Sequence, residues 1–202
     1  MIASPQVPLT PDDYLLTPDD YLHLEADSPV KHEYINGDAY AMAGASDIHV
    51  TIAGNLFALL RNHVRGTLCR VYIADMKARL EALNCFYYPD VLVTGDPRDA
   101  ETATYKRFPK LIVEVLSEST EAFDRGDKFT DYQTLDTLAE YVIINTRHQR
   151  VECFRRTADD LWLLQTYTPE SGTFDLKSLQ FTETFEALYE DAELEPTVPA
   201  VE

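Results

Sequence analysis

The run Lys110-Leu111-Ile112-Val113-Glu114-Val115-Leu116-Ser117 constrains this chain more than any other segment. Five aliphatic residues in so short a stretch fit a central strand covered on both faces. The fold therefore needs a sheet lying between other layers. Glu114 stands inside that strand. A period of two places Ile112, Glu114 and Leu116 on one face. A carboxylate there loses its water, which is costly unless it meets a cation or hydrogen-bond donors. Metal ligation meets that need, and so does a buried salt bridge to an arginine.

A second acid stands in a comparable place. Asp90 follows Tyr87-Tyr88-Pro89 and precedes Val91-Leu92-Val93. Proline is tolerated at the start of a strand, so Asp90 is placed where that strand enters the sheet. A turn aspartate bonded to local amides is the plain alternative. Together, Asp90 and Glu114 form a plausible pair of magnesium ligands, because a hard cation takes oxygen donors, commonly one or two carboxylates plus waters and phosphates. Downstream, Asp124 and Lys128 lie four residues apart, on one helix face. Such pairs are usually solvated surface ion pairs. If that face looks back at the Glu114 strand, Lys128 can reach a water or a phosphate at the site. Glu33 is a candidate fourth acid, and a surface strand residue on the plain reading.

The remaining segments give the architecture. Leu9-Thr10-Pro11-Asp12-Asp13-Tyr14-Leu15 recurs as Leu16-Thr17-Pro18-Asp19-Asp20-Tyr21-Leu22. Each copy reads as a helix start, with Thr as cap, Pro in first position and two acids at the positive end of the dipole. Pro18 cannot sit inside a helix begun at Thr10. The helix is therefore expected from Thr17 to about Ala26, with the first copy as a frayed extra turn. Asn36-Gly37 marks a hairpin with Glu33 on its first strand. Residues 47–63 have helical apolar spacing, with Ser46 or Asp47 as cap and His49 near the start. Strands are expected over 68–81, 86–94, 110–116, 140–145, 150–155 and 161–167. A loop is expected over 95–108, a helix weakened by Gly126 over 121–138, and a short helix near 183–190. This pattern predicts an α/β (α+β) domain built on one central mixed sheet. It divides the chain into an N-terminal extension (1–15), a single domain (16–190) and an acidic tail (191–202).

Charge and small motifs exclude several functions. The net charge is −18. It divides into −6 over residues 1–27, −2 over 28–157 and −10 over 158–202. The acidic load thus sits in the flanks, and a polyanionic partner of the middle remains possible. Cys69, Cys85 and Cys153 form neither a disulfide framework nor a CxxC pair. The absence of a basic leader and of an apolar run of about 20 residues predicts a soluble cytoplasmic protein that does not enter membranes. No phosphate-binding glycine loop, GxSxG elbow or HExxH pair occurs. Lys106, Arg107 and Lys110 precede the Glu114 strand, and Arg147, Arg150, Arg155 and Arg156 cluster later. Both groups are candidate phosphate contacts or plain surface charge.

Several segments in order resemble a known family: LTPDDYLHLE, HEYINGDAYAMAG, His49 opening a helix, YYPDVLV, PKLIVEVLSEST, DRGDKFTDY and AEYVIIN. The chain resembles the Uma-two family (domain of unknown function 820) of the PD-(D/E)xK nuclease superfamily over about residues 16–155. The resemblance implies a restriction-endonuclease-like core, a central mixed sheet flanked by helices. It also implies a magnesium centre, with manganese as a possible substitute, that cleaves phosphodiester bonds. The partner would be nucleic acid, chiefly DNA, and the enzyme a homodimer. Asp90 and Glu114 match the two motif acids, Glu33 the acid of the family's hairpin, and Lys128 the lysine of its DRxxK helix. The backbone carbonyl of Val115 is a possible further metal ligand, with Asp124 and His49 in support. One departure stands out. Position 116, two after Glu114, is leucine where the superfamily has lysine. Lys128 has to substitute from the helix, and Lys77 is a weaker substitute. If Lys128 points elsewhere, the fold serves as a catalytically weak or inactive module that binds nucleic acid or protein.

Overall fold

The computed structural model describes residues 15–194. All but Leu15 of the first repeat copy, and residues 195–202 of the acidic tail, lie outside the described residues. The first helix, α1 (Pro18–Asp27), starts as the second copy predicts. Thr17 caps it in a reciprocal capping box with Asp20, and Pro18 takes the first position. Strands β1 (His32–Ile35) and β2 (Asp38–Ala41) form the hairpin, with Asn36 at φ 49° and Gly37 at φ 109° in the turn. Helix α2 (Asp47–His63) is capped by Ser46, whose hydroxyl accepts the His49 N–H. Its Ile52, Leu56 and Leu60, one stripe at a spacing of four, are fully buried.

Two expected strands break, and the breaks create a second sheet. Residues 68–81 form β3 (Arg70–Ile73) and β4 (Lys77–Leu80), separated by Ala74 at φ 55°. Residues 86–94 form β5 (Cys85–Tyr87) and β6 (Val91–Thr94), separated at Pro89, which has no N–H to give a ladder. Each break carries the chain from one sheet to the other, and these two crossings touch where Ala74 N–H donates to the Asp90 carbonyl at 3.0 Å. Beyond them come β7 (Tyr105–Lys106), β8 (Leu111–Val115), β9 (Glu140–Ile144), β10 (Val151–Arg156) and β11 (Trp162–Tyr167). The central sheet has six strands in the order β11-β10-β9-β8-β6-β3, with β8 and β9 parallel and the other pairs antiparallel. The second sheet has five, in the order β2-β1-β5-β4-β7. The expectation of a mixed sheet flanked by helices holds, but one sheet becomes several.

The helix expected over 121–138 is also divided. Gly126, at φ −111° and ψ −101°, separates α3 (Glu121–Arg125) from α4 (Asp127–Tyr132), and turns follow to Leu138. The acidic C-terminal part adds a hairpin, β12 (Thr173–Leu176) with β13 (Phe181–Thr184), and α5 (Phe185–Leu188). Its strands are four residues each, too short for their alternation to stand out in the sequence. Among the described residues no helix is long and apolar enough to cross a membrane. The three cysteines are unbridged.

The two faces of β8 serve different cores. Leu111, Val113 and Val115 pack with α2 and with Phe174, Phe181 and Phe185 of the C-terminal hairpin and helix. Ile112 and Leu116 face the second sheet, Tyr132 and Tyr141. Glu114 shares that second face, as the period of two requires. A third small core joins α1 to the second sheet through Leu16, Tyr21, Tyr34 and Phe86.

The hairpin turn gives a stability test. A Cβ added at Gly37 would lie 2.9 Å from the Leu15 Cβ, at a positive φ. Gly37→Ala is expected to lower unfolding stability by about 1–3 kcal/mol in urea titrations. An unchanged midpoint would show that the turn carries no constraint.

Candidate active site

The carboxylates that the sequence places in unrelated segments meet at the crossing between the two sheets. Asp90 enters β6, Glu114 lies on β8 and Glu33 on β1. Asp124 and Lys128 come from α3 and α4, which follow β8 and pack back over its end. The Lys128 ammonium is the hub. It lies 3.0 Å from Glu33 Oε1, 3.0 Å from Glu114 Oε1 and 3.6 Å from Asp124 Oδ1. The Asp124–Lys128 pair is therefore a buried pair and not a surface one. Both side chains are nearly sealed from solvent, at 4% and 6% exposure.

Asp90 is held by different groups. Its Oδ2 accepts the Val115 N–H at 2.7 Å, and its Oδ1 faces His49 Nε2 at 2.8 Å. The helix start of α2 and the end of β8 thus fix one carboxylate between them. The structure ties Val115 to the site through its N–H. The Asp90 side chain keeps 21% exposure, more than the 4% of Glu114, so the site opens on the Asp90 side.

The electrostatics follow from burial. Desolvation pushes the Glu114 carboxyl well above the usual carboxylate range. The Lys128 charge pulls it down, while Asp124, Asp90 and Glu33 push it further up. Burial would lower the Lys128 ammonium, but Glu114 and Glu33 outweigh that and hold it well above its ordinary value. Asp124 is raised by burial against the pull of Lys128. Burial also opposes charge on His49, and the hydrogen bond and charge of Asp90 reverse this to a net upward shift. Four carboxylates thus share one ammonium and one imidazole. Such a cluster carries an excess of negative charge and favours an added cation.

The donor set fits a hard cation. Lys128 and the Tyr132 hydroxyl both reach Oε1 of Glu114, and Lys128 and the Tyr88 N–H both reach Oε1 of Glu33. Oε2 of each carboxylate stands outside that set of contacts. No three Asp, Glu, His or Cys side chains among the described residues form a ready-made cage. A magnesium site does not need one, since waters and phosphate oxygens complete its shell.

Other sequence candidates are not brought here. Lys106 is buried and donates to the carbonyls of Asp99, at 2.8 Å, and Thr102. Arg107 pairs with Glu101 at 2.6 Å and approaches Glu81 at 3.8 Å. Lys110 precedes β8, about 13 Å along the strand from Glu114 at the usual rise. Arg147, Arg150, Arg155 and Arg156 pair with Glu121, Glu152, Glu140 and Asp160. Lys77 is placed over the Tyr88 ring, 5.0 Å from its centroid. Sequence reading missed Tyr132. Its spacing of four from Lys128, and of eight from Asp124, was the available signal.

Two substitutions should move stability in opposite directions. Lys128→Met leaves the buried carboxylates without their common cation and is expected to cost about 3–5 kcal/mol. Glu114→Gln removes one excess charge, and in EDTA should stabilise the protein by about 1 kcal/mol. Urea unfolding of both variants measures this, and destabilisation by Glu114→Gln would contradict the charge excess.

Comparison with known proteins shows the family. The sequence profile of the Uma2 family, described as "putative restriction endonuclease", matches residues 18–186. The uncharacterized protein slr1290 of Synechocystis sp. is 36% identical over 193 residues, covering 94% of this chain and 97% of that protein. A second uncharacterized Synechocystis protein, sll1609, is 31% identical over 168 residues, covering 82% and 95%. The crystal structure of a "putative nuclease" of domain of unknown function 820 from Anabaena variabilis superposes with a TM-score of 0.70 at 15% identity. That superposition covers 86% of this chain and 97% of that one. The last likeness shows a shared fold, and the profile, which spans most of the chain, shows that this chain belongs to the Uma2 family.

Proposed function

We propose that the protein is a magnesium-dependent nuclease that hydrolyses phosphodiester bonds in DNA. The observation that carries this reading is the contact pattern around Lys128. Its ammonium and the neighbouring donors gather on one oxygen of Glu114 and one of Glu33, in a cluster with more carboxylates than cations. Family membership supports the same reading. So does the charge distribution, which leaves residues 28–157 at −2 within a chain of −18.

The residue roles follow from their surroundings. Asp90, Glu114 and Glu33 would hold the ion, with the Val115 carbonyl as a further donor. When bound, magnesium, or manganese in its place, supplies an activated water and a counter-charge for the scissile phosphate. His49 and the Val115 N–H hold the Asp90 carboxyl in place. Lys128 keeps its proton beside Glu114 and supplies the positive charge that a lysine two residues after that acid would otherwise provide. From there it orients a water or neutralises a phosphate. Leu116 is buried in the core and leaves that role to the helix.

A second reading is a nuclease fold used only for binding. The observation that favours it is that both Asp90 oxygens already have protein partners. Nicking of supercoiled plasmid with magnesium or manganese separates the two. Asp90→Asn, Glu114→Gln and Lys128→Met are each expected to lower the rate by about a hundredfold or more. Wild type no faster than these variants at matched purity would leave the binding reading. A labelled RNA of equal length tests the choice of DNA.

A further inference from the structure

We propose that Tyr132 is a positioning residue for the divalent cation, acting through Glu114. This rests on the metal-dependent reading above and adds a residue to it. The Tyr132 hydroxyl donates to Glu114 Oε1 at 3.0 Å. Lys128 meets the same oxygen at 3.0 Å. Two donors on one oxygen fix the rotation of the carboxylate about its last bond and mark Oε2 as the oxygen turned to a ligand. Lys128 cannot do this alone, because its ammonium is also shared with Glu33 and Asp124. Groups that hold a ligand carboxylate from behind commonly set metal affinity.

The position of Tyr132 suits this task. It is fully buried at the end of α4, with its ring against Tyr87 and Tyr141, each at a centroid distance of 5.5 Å. The ring cannot swing away without opening the core, so its hydroxyl stays aimed at Glu114. Asp124, Lys128 and Tyr132 follow one another at a spacing of four. The chain segment that carries the cation therefore also carries the second donor, and both dock together.

Tyr141 supplies the control. It is as deeply buried and in the same core, but its hydroxyl donates to the Asp124 carbonyl, at 2.8 Å, and reaches no carboxylate. Replacing either tyrosine by phenylalanine removes one buried hydroxyl and keeps the ring. A merely structural role predicts the same behaviour from both. A positioning role predicts that only Tyr132 affects the ion.

The experiment is a manganese titration of the full chain by calorimetry, for wild type, Tyr132→Phe and Tyr141→Phe. Tyr132→Phe is expected to weaken manganese binding by about 10–100-fold. Tyr141→Phe should bind within about twofold of wild type, with circular dichroism showing all three folded. Plasmid nicking by Tyr132→Phe should recover toward the wild-type rate as manganese is raised. Equal affinity in wild type and Tyr132→Phe overturns the inference about Tyr132, and so does equal weakening in both variants. No manganese binding by wild type overturns the metal-dependent reading itself, and with it the role given to Tyr132.

Discussion

Glu114 cannot be left alone in its strand. The neighbours that make β8 a central strand, aliphatic on both faces, are the same neighbours that strip the carboxylate of water. That loss has to be offset by a cation brought from elsewhere, because β8 has none of its own. Lys128 is that cation, and its delivery organises much of the surrounding structure. Helices α3 and α4 have to return over the end of β8. Tyr132 and Tyr141 pack the return, and Gly126 gives the bend between the two short helices. The cluster that results gives each carboxylate a basic neighbour, yet it holds more carboxylates than cations and leaves His49 Nδ1 buried without a hydrogen bond among the described residues.

The second constraint is the pair of adjacent crossings at Ala74 and Pro89. Ala74 and Pro89 both end a strand in one sheet and release the chain into the other. The Ala74 N–H then bonds the Asp90 carbonyl. Asp90 is placed by that junction, and its side chain is caught between the start of α2 and the N–H of Val115. Glu33 reaches the same point from the second sheet. The site is thus a seam between layers, which explains why its acids lie far apart in sequence. It also explains how groups with opposing demands coexist. Glu114 and Asp124 face a nearly dry interior, whereas Asp90 keeps contact with solvent at the mouth.

Much of this was legible before any coordinates. Period two placed Glu114 on the face of Ile112 and Leu116, and that is the face it takes. The Thr-Pro-Asp-Asp signal started α1 at the second repeat copy, and Asn-Gly closed the hairpin. Two strands were read too long because Val, Ile, Leu and Tyr stand on both sides of each break. Apolar composition does not reveal a change of sheet, and neither a positive φ at an alanine nor its hydrogen bond is written in the periodicity. The hairpin of β12 and β13 was missed because its strands are only four residues each, so the alternation of Thr173-Phe174-Asp175-Leu176 ends before it stands out.

By itself the sequence determined the elements, the buried strand and the acids that would be costly within it. Each of these follows from local spacing and from the cost of dehydrating a carboxylate. Only the tertiary structure decided which charges meet. It turned the Asp124–Lys128 pair inward, gave Val115 to Asp90 through its N–H, and sent Lys106 and Arg107 to other partners. It also brought in Tyr132, whose hydroxyl is one more core tyrosine until the helix return sets it beside Glu114. The physical reason is that electrostatic partnership depends on distances of a few ångströms between distant segments. Periodicity fixes the face on which a side chain lies, and packing fixes what that face meets.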